Sequence, residues 1–205
     1  MLTLHYHPAT IAAVIAIVME ELSLDYLPVF VDFAQGAQLS PTHLALNPKG
    51  RVPVLITDAG TLTETGAILD WLAAMFGPHL IPADIFDAAR MRETMYYLAS
   101  TMHVNHAHRM RGARWADLPA SHADMTAKVP QTMTASCAYL ESHLDLAPFA
   151  VTGALTLADA YLYVVVRWAT GDGVDMAAFP KLSAHQVMMA DRFAVRAVVN
   201  KGLLA

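Results

Sequence analysis

The stretch NPKGRVPVLITDAGTLTETGAIL, residues 47–69, decides the fold. Residues 52–57, VPVLIT, are β-branched and apolar and read as a strand. Asp58 and Gly60 supply a tight bend, and TLT, residues 61–63, is the short return strand. Glu64 and Thr65 then open a helix whose apolar residues Ile68, Leu69, Trp71, Leu72, Met75 and Phe76 recur at helical spacing. The stretch is therefore a β-hairpin running straight into an amphipathic helix.

Upstream, LTLHY (2–6) alternates as a strand does, and residues 11–22 read as a helix with Thr10 as its cap. DYLPVFVDF (25–33) reads as a strand with Pro28 near its start. AQGAQLS is a loop, and SPTHLALN (40–47) is a short helix with a Ser cap and proline at its first position. The order is βαβ followed by αββα. GPHLIP, residues 77–82, carries Gly77, Pro78 and Pro82 and reads as a linker. Beyond it the strand signal vanishes.

Residues 84–111 read as one long helix with Met91, Met95, Leu98, Met102 and Met110 along one side. Pro119 breaks the pattern. A second long helix covers about 121–145, with a kink expected at Pro130. A third covers 156–168, and one or two more, split at Pro180, follow. Thr156 and Asp159 stand as N-cap and N3 of the third, a capping box with Asp in place of Glu. That helix is apolar nearly all round, so it belongs at the centre of a second domain. The expected organisation is a first domain over 1–76, the linker 77–82, and an all-helical domain over 83–205.

Composition narrows the function. Of 205 residues, 56% are hydrophobic and 15% charged, and the formal net charge is -5. No Lys/Arg cluster offers a face to nucleic acid. The apolar run Ala9–Met19 is only 11 residues long and ends at Glu20 and Glu21, well short of the ~20 needed to cross a membrane. No Lys or Arg precedes Lys49, so a signal peptide is not expected, and the single cysteine, Cys137, precludes an internal disulfide. A cytoplasmic protein without membrane or nucleic-acid partners is expected.

The element order, with YHPAT at the first turn, NPKGRVPVL (47–55), LTETGAIL (62–69) and GALTLADAYLY (153–163), resembles the glutathione S-transferase family along the whole chain. The bacterial, beta-like members are the nearest variety. The resemblance implies a thioredoxin-like N-terminal domain, an all-α C-terminal domain, glutathione as co-substrate and conjugation of its thiolate to an apolar electrophile, with a detoxifying role. It also implies a homodimer, with the contact sought at FAQGAQLS and the 62–76 helix.

Residue roles follow. Val52 precedes proline and is pushed into an extended conformation, so its backbone can pair with an extended peptide. In the family this Val-Pro bond is cis and the valine backbone holds the cysteinyl unit of glutathione. Arg51, Val52, Pro53, Glu64 and Thr65 form the implied glutathione-binding set. The helix N-terminus at Thr65 suits the γ-glutamyl carboxylate, and Glu64 suits the ammonium group; both residues could equally serve as caps alone. Tyr6 matches the family tyrosine that donates to the glutathione sulfur. A free thiol with pKa ~8.5 is only slightly ionised at neutral pH. One hydrogen bond to the thiolate is worth ~1.5–3 kcal/mol, and the helix beginning near Thr10 would add to it.

The sequence departs from the bacterial members at three places. Ile11 and Ala12 stand where they often carry cysteine and serine, so Tyr6 and then Thr10 are the candidate activators. Their His-Lys pair reads His103-Val104, which keeps His103 as a third catalytic candidate. Tyr96 replaces an asparagine that touches glutathione. The second-substrate pocket is expected to be lined by His7, Ala9, Met102, His106, Met110 and Trp115. Ten histidines raise the question of a metal, but the pairs His5/His7 and His103/His106 lack a completing ligand, and no metal is expected. The rival function is a non-catalytic protein that binds glutathione or an apolar ligand.

Overall fold

The first four helices and four strands run β1 (Leu2–Tyr6), α1 (Ala12–Glu21), β2 (Tyr26–Phe30), α2 (Pro41–Leu46), β3 (Val54–Thr57), β4 (Gly60–Thr63), α3 (Thr65–Phe76) and α4 (Ile85–Tyr97). A wide π turn, Leu98–Met102, joins α4 to α5 (His103–Ala107). Then come α6 (Pro119–His143), α7 (Leu157–Gly171), α8 (Pro180–Ala190) and α9 (Phe193–Asn200). The computed structural model describes residues 1–204. Packing divides them into two units, residues 1–80 with the segment from Ala190 onward, and residues 81–189.

In the first unit the strands form one sheet in the order β2-β1-β3-β4. β1 and β2 are parallel, as a crossover through α1 requires, and the other two pairs are antiparallel. This is the thioredoxin-like arrangement. Pro28 lies inside β2, opposite Leu4, rather than at its start. It is tolerated because β2 is an edge strand and its missing N–H costs no ladder bond on the open side. α1 packs against β1, α3 and α9, and every residue from Ala12 to Met19 is buried. That enclosure explains the uncharged run at the start of the chain.

The end of the chain packs differently from the sequence reading, which assigns 83–205 to one helical domain. Ala194, Val195 and Val198 of α9 are buried, and α9 lies on α1 in the first unit. Arg192 reaches the Glu21 carboxylate at 2.5 and 2.8 Å, and Lys201 pairs with Glu20. The 77–82 linker is also firmer than expected. A Cβ at Gly77 would stand 2.1 Å from Leu22 Cδ2, so glycine there permits close packing, and Leu80 is buried.

In the second unit α7 is the core, buried at every position from Leu157 to Val166. Its first turn is closed by the expected capping box. The Asp159 carboxylate accepts from the Thr156 N–H at 2.8 Å and the Thr156 hydroxyl at 2.9 Å. It also accepts from Ala150 N–H at 2.7 Å and His185 Nε2 at 3.1 Å, so a fully buried charge is well bonded. The long helix expected over 84–111 is interrupted by the π turn and ends at Ala107. Met91, Met95, Leu98 and Met102 are buried as expected, whereas Met110, past that end, is 73% exposed. Pro119 starts α6 rather than breaking a helix, and Pro130 lies inside it. No helix among the described residues is long and apolar enough to cross a membrane.

Removing the Asp159 carboxylate strands four donors in a closed interior. Asp159→Ala is expected to cost about 3–5 kcal/mol and Thr156→Ala about 1 kcal/mol, read from urea unfolding curves. Cys137 is fully buried in α6, and burial, helped by Glu141 and Asp172, pushes its thiol up to about 12. The native protein should therefore resist maleimide at neutral pH and react only when unfolded; stoichiometric labelling of the folded chain would contradict this.

Candidate active site

The first unit builds its edge from the turn before β3. Ser40 caps α2 by accepting from His43 N–H at 3.2 Å, which fixes His43 beneath the loop. Asn47 ends α2, and the Gly50 N–H bonds back to its carbonyl at 2.9 Å. Gly50 adopts φ +61, a left-handed conformation that favours glycine. His43 Nε2 and Asn47 Nδ2 then both donate to the Arg51 carbonyl, at 3.0 and 2.8 Å. Both side chains are buried. The Val52–Pro53 peptide bond that follows is cis. Neither backbone group of Val52 is bonded within the described protein, and Val52 is half-buried. Such a pair of groups calls for an external partner.

Beside this edge, Glu64 holds φ 70 and ψ 117, unusual for a non-glycine residue, and its side chain caps nothing. The Glu64 carboxylate pairs instead with Lys49 Nζ at 2.8 Å, and Lys49 also bonds the Thr63 hydroxyl at 2.8 Å. Thr65 is buried at the first position of α3, whose opening amides receive no side-chain cap. Arg51 is exposed. Lys49 was missed in the sequence; its position in NPKG, flanking the other binding residues, was the available signal.

The first turn after β1 is tightly tied. Thr10 Oγ1 donates to the His7 carbonyl at 2.6 Å and receives the Ala12 N–H at 3.4 Å. Its one proton is committed to the backbone. The N–H groups of Ala13 and Val14 are bonded to the Thr10 and Ile11 carbonyls. The open amides expected at this helix start are thus largely used locally, and what remains is the field of the helix. Ala9 takes φ 56 in the same turn. His7 donates from Nδ1 to the Val31 carbonyl at 2.9 Å and stacks on Phe33 at 4.2 Å. The Tyr6 ring meets Phe30 edge-on at 6.1 Å, and its hydroxyl is bonded to no described residue. Of the two hydroxyls, Tyr6 is the one free to donate outward.

In the second unit the π turn inserts an extra residue, rotating the following helix by about 100° relative to a regular continuation. His103 and His106 come to lie against Trp168, with ring centroids 5.0 and 4.3 Å away. Met102 has no exposed surface and belongs to the core, which corrects its place in the expected pocket. Met110 is exposed, Trp115 is 45% exposed, and the indole of Trp115 meets His108 edge-on at 4.5 Å. Tyr96 is exposed on α4. No group of three or more potential metal ligands occurs among the described residues.

Comparison with known proteins agrees with this architecture. The N-terminal domain model of glutathione S-transferases matches residues 2–74. The chain is 31% identical to glutathione S-transferase GST-4.5 of Xanthomonas campestris over 171 residues, 80% of this chain and 82% of that protein. It is 27% identical to glutathione S-transferase GstA of Escherichia coli O157:H7 over 92% of each chain. The crystal structure of a glutathione transferase homologue from Sulfitobacter with bound glutathione superposes with a TM-score of 0.97 at 51% identity, covering 100% of this chain and 99% of that one. The chain belongs to the glutathione S-transferase family and is a glutathione transferase.

One titration bears on the fold around the site. His5, on β1, lies 6.0 Å from the His43 ring, and burial followed by the His43 charge lowers its pKa below 6.5. The unfolded chain then binds the proton more readily, so stability is full above about 6.5 and falls as the pH drops below it. His5→Gln should lose less stability than the wild type between about pH 7 and pH 5.5 in paired denaturation curves. Equal losses would show that His5 does not carry the effect.

Proposed function

We propose that glutathione lies along the edge formed by Arg51, Val52 and Pro53, with its cysteinyl backbone paired to Val52. The open Val52 backbone, held in place by two donors on the Arg51 carbonyl, is the observation that carries this reading. The γ-glutamyl carboxylate meets the uncapped start of α3 at Thr65, and Glu64, with Lys49 as its counter-ion, takes the ammonium group. Tyr6 donates to the sulfur and favours the thiolate. Thr10 shapes the turn and supports Tyr6. His103 is the catalytic candidate of the second unit.

The thiolate attacks a small apolar electrophile. On the first unit His7 and Ala9 are the side chains proposed for it; on the second, His106, Met110 and Trp115 are, and exposed methionine and tryptophan are adaptable apolar side chains. Removal of such electrophiles is the corresponding physiological role. The protein works as a homodimer: Leu39 in FAQGAQLS and Met75 and Phe76 at the end of α3 are exposed and large, as an unpaired interface would be. A monomeric mass independent of concentration in light scattering would contradict this part.

The deciding experiment is the ultraviolet thiolate band as glutathione is added at neutral pH. The wild type should give a saturable signal. Tyr6→Phe should lower kcat/KM by roughly 10- to 100-fold, the value of one hydrogen bond to a charged sulfur of ~1.5–3 kcal/mol, with glutathione affinity nearly retained. Binding by calorimetry without any thiolate signal would favour a carrier instead.

A further inference from the structure

Beneath the working edge of the first unit, two histidines face each other. His5 lies on β1, opposite Val29 of β2 and Val54 of β3. Its ring is half-buried, is hydrogen-bonded to no described residue, and stands 6.0 Å from the His43 ring. His43 is buried, and its Nε2 donates to the Arg51 carbonyl, the oxygen of the peptide that leads into Val52. His5 is thus connected to the open Val52 backbone through one ring contact and one hydrogen bond. Little else around it titrates. β3 carries no ionisable side chain, and α2 carries only His43. On β2 the one candidate is Tyr26, which stands opposite Leu2 and donates to Glu20 of α1 at 2.7 Å. Side chains alternate along a strand, so Leu2, Leu4 and Tyr6 take the face of the sheet that His5 does not. His7, past the end of β1, is committed to the Val31 carbonyl. In the loop before β3, Lys49 pairs with Glu64 and Arg51 is exposed. None of these elements brings a carboxylate to His5.

We infer that His5 and His43 form a pH-sensitive catch under the glutathione edge: a proton on His5 frees the Arg51 carbonyl and weakens glutathione binding, and bound glutathione in turn expels that proton. This rests on the reading above that glutathione pairs with Val52. A protonated imidazole has two N–H donors and no acceptor, and its charge must be hydrated where no partner is provided. Full hydration of the His5 ring requires its contact with His43 to open. His43 is then drawn off the Arg51 carbonyl, Asn47 remains as the single donor, and the peptide before the Val52–Pro53 bond regains its freedom. Burial, followed by the His43 charge, lowers the His5 pKa, so the locked edge binds the proton less readily than the released one. Acid therefore favours release below about pH 6.5, and the catch is fully closed above it. The coupling is reciprocal: a ligand that needs the locked edge must displace a proton wherever His5 is partly charged.

The test uses S-methylglutathione, whose sulfur carries no proton, so that ionisation of the thiol does not enter. In calorimetric titrations of the whole protein its affinity should fall about three- to tenfold between about pH 7.5 and about pH 5.5, the effect of roughly half to one pKa unit of linkage. At about pH 6 the wild type should release a fraction of a proton on binding, read from the heats in two buffers of different ionisation enthalpy. His5→Gln should keep its affinity across the same range and release no proton, and His5→Phe repeats the measurement if the glutamine variant does not fold. An equal fall in wild type and variant, or no fall in a wild type that binds, overturns the inference. Acid that lowers stability through His5 and leaves affinity unchanged would confine the pair to the fold and overturn it as well. A wild type that does not bind S-methylglutathione at neutral pH sinks the glutathione reading and this one with it.

Discussion

Two hydrogen bonds to one oxygen atom, the Arg51 carbonyl, set the working edge of the first unit. His43 and Asn47 are both buried and both spend a donor there. Without them the segment before Pro53 would be an ordinary exposed loop, free to rotate its peptide planes. With them, the peptide leading into the cis Val52–Pro53 bond is held in place. Each partner is itself held. Ser40 fixes His43 through the start of α2, and Asn47 also accepts the Lys49 N–H at 3.2 Å. Lys49 in turn pairs with Glu64 at the mouth of α3. A chain of short-range contacts from residue 40 to residue 65 thus locks the edge before any ligand arrives, and preorganisation of this kind lowers the ordering cost of binding.

The two units solve the same problem twice. Each has one helix, α1 or α7, that is buried along nearly its whole length, and a buried helix must satisfy its first-turn amides internally. α7 does so with a bonded carboxylate, because its start is completely enclosed. α1 uses the Thr10 hydroxyl and backbone carbonyls of its own turn. The second solution leaves the turn uncharged.

Much of this was legible because it is local. The hairpin at residues 54–63, the helix opening at Thr65 and the Thr156–Asp159 capping box are each written within a few consecutive positions. The roles proposed for Val52 and Glu64 rest on a motif of the same kind. What escaped the sequence is long-range or depends on a subtle change of helical pitch. Asp172 and His106 are 66 positions apart, and nothing near either residue marks the other. The π turn at 98–102 has no composition of its own; LASTM would also suit a regular helix. Without it Met110 was placed on the buried side. α9 has an apolar stripe that fits any helical core, and only the matching charges Arg192–Glu21 and Lys201–Glu20 direct it to α1.

The departures from the bacterial pattern gain a common sense from these contacts. A cysteine or serine in the first turn, and a lysine beside His103, would place strongly polar groups where this chain has Ile11, Ala12 and Val104. Losing one such donor to a thiolate removes about 1.5–3 kcal/mol of stabilisation, as much as a phenol in the role proposed for Tyr6 would return. On the proposed reading thiolate formation survives the change, in surroundings made more apolar by Ile11 and Ala12. In apolar surroundings charge that develops on a substrate is poorly solvated and must be met by a fixed group or neutralised by a proton.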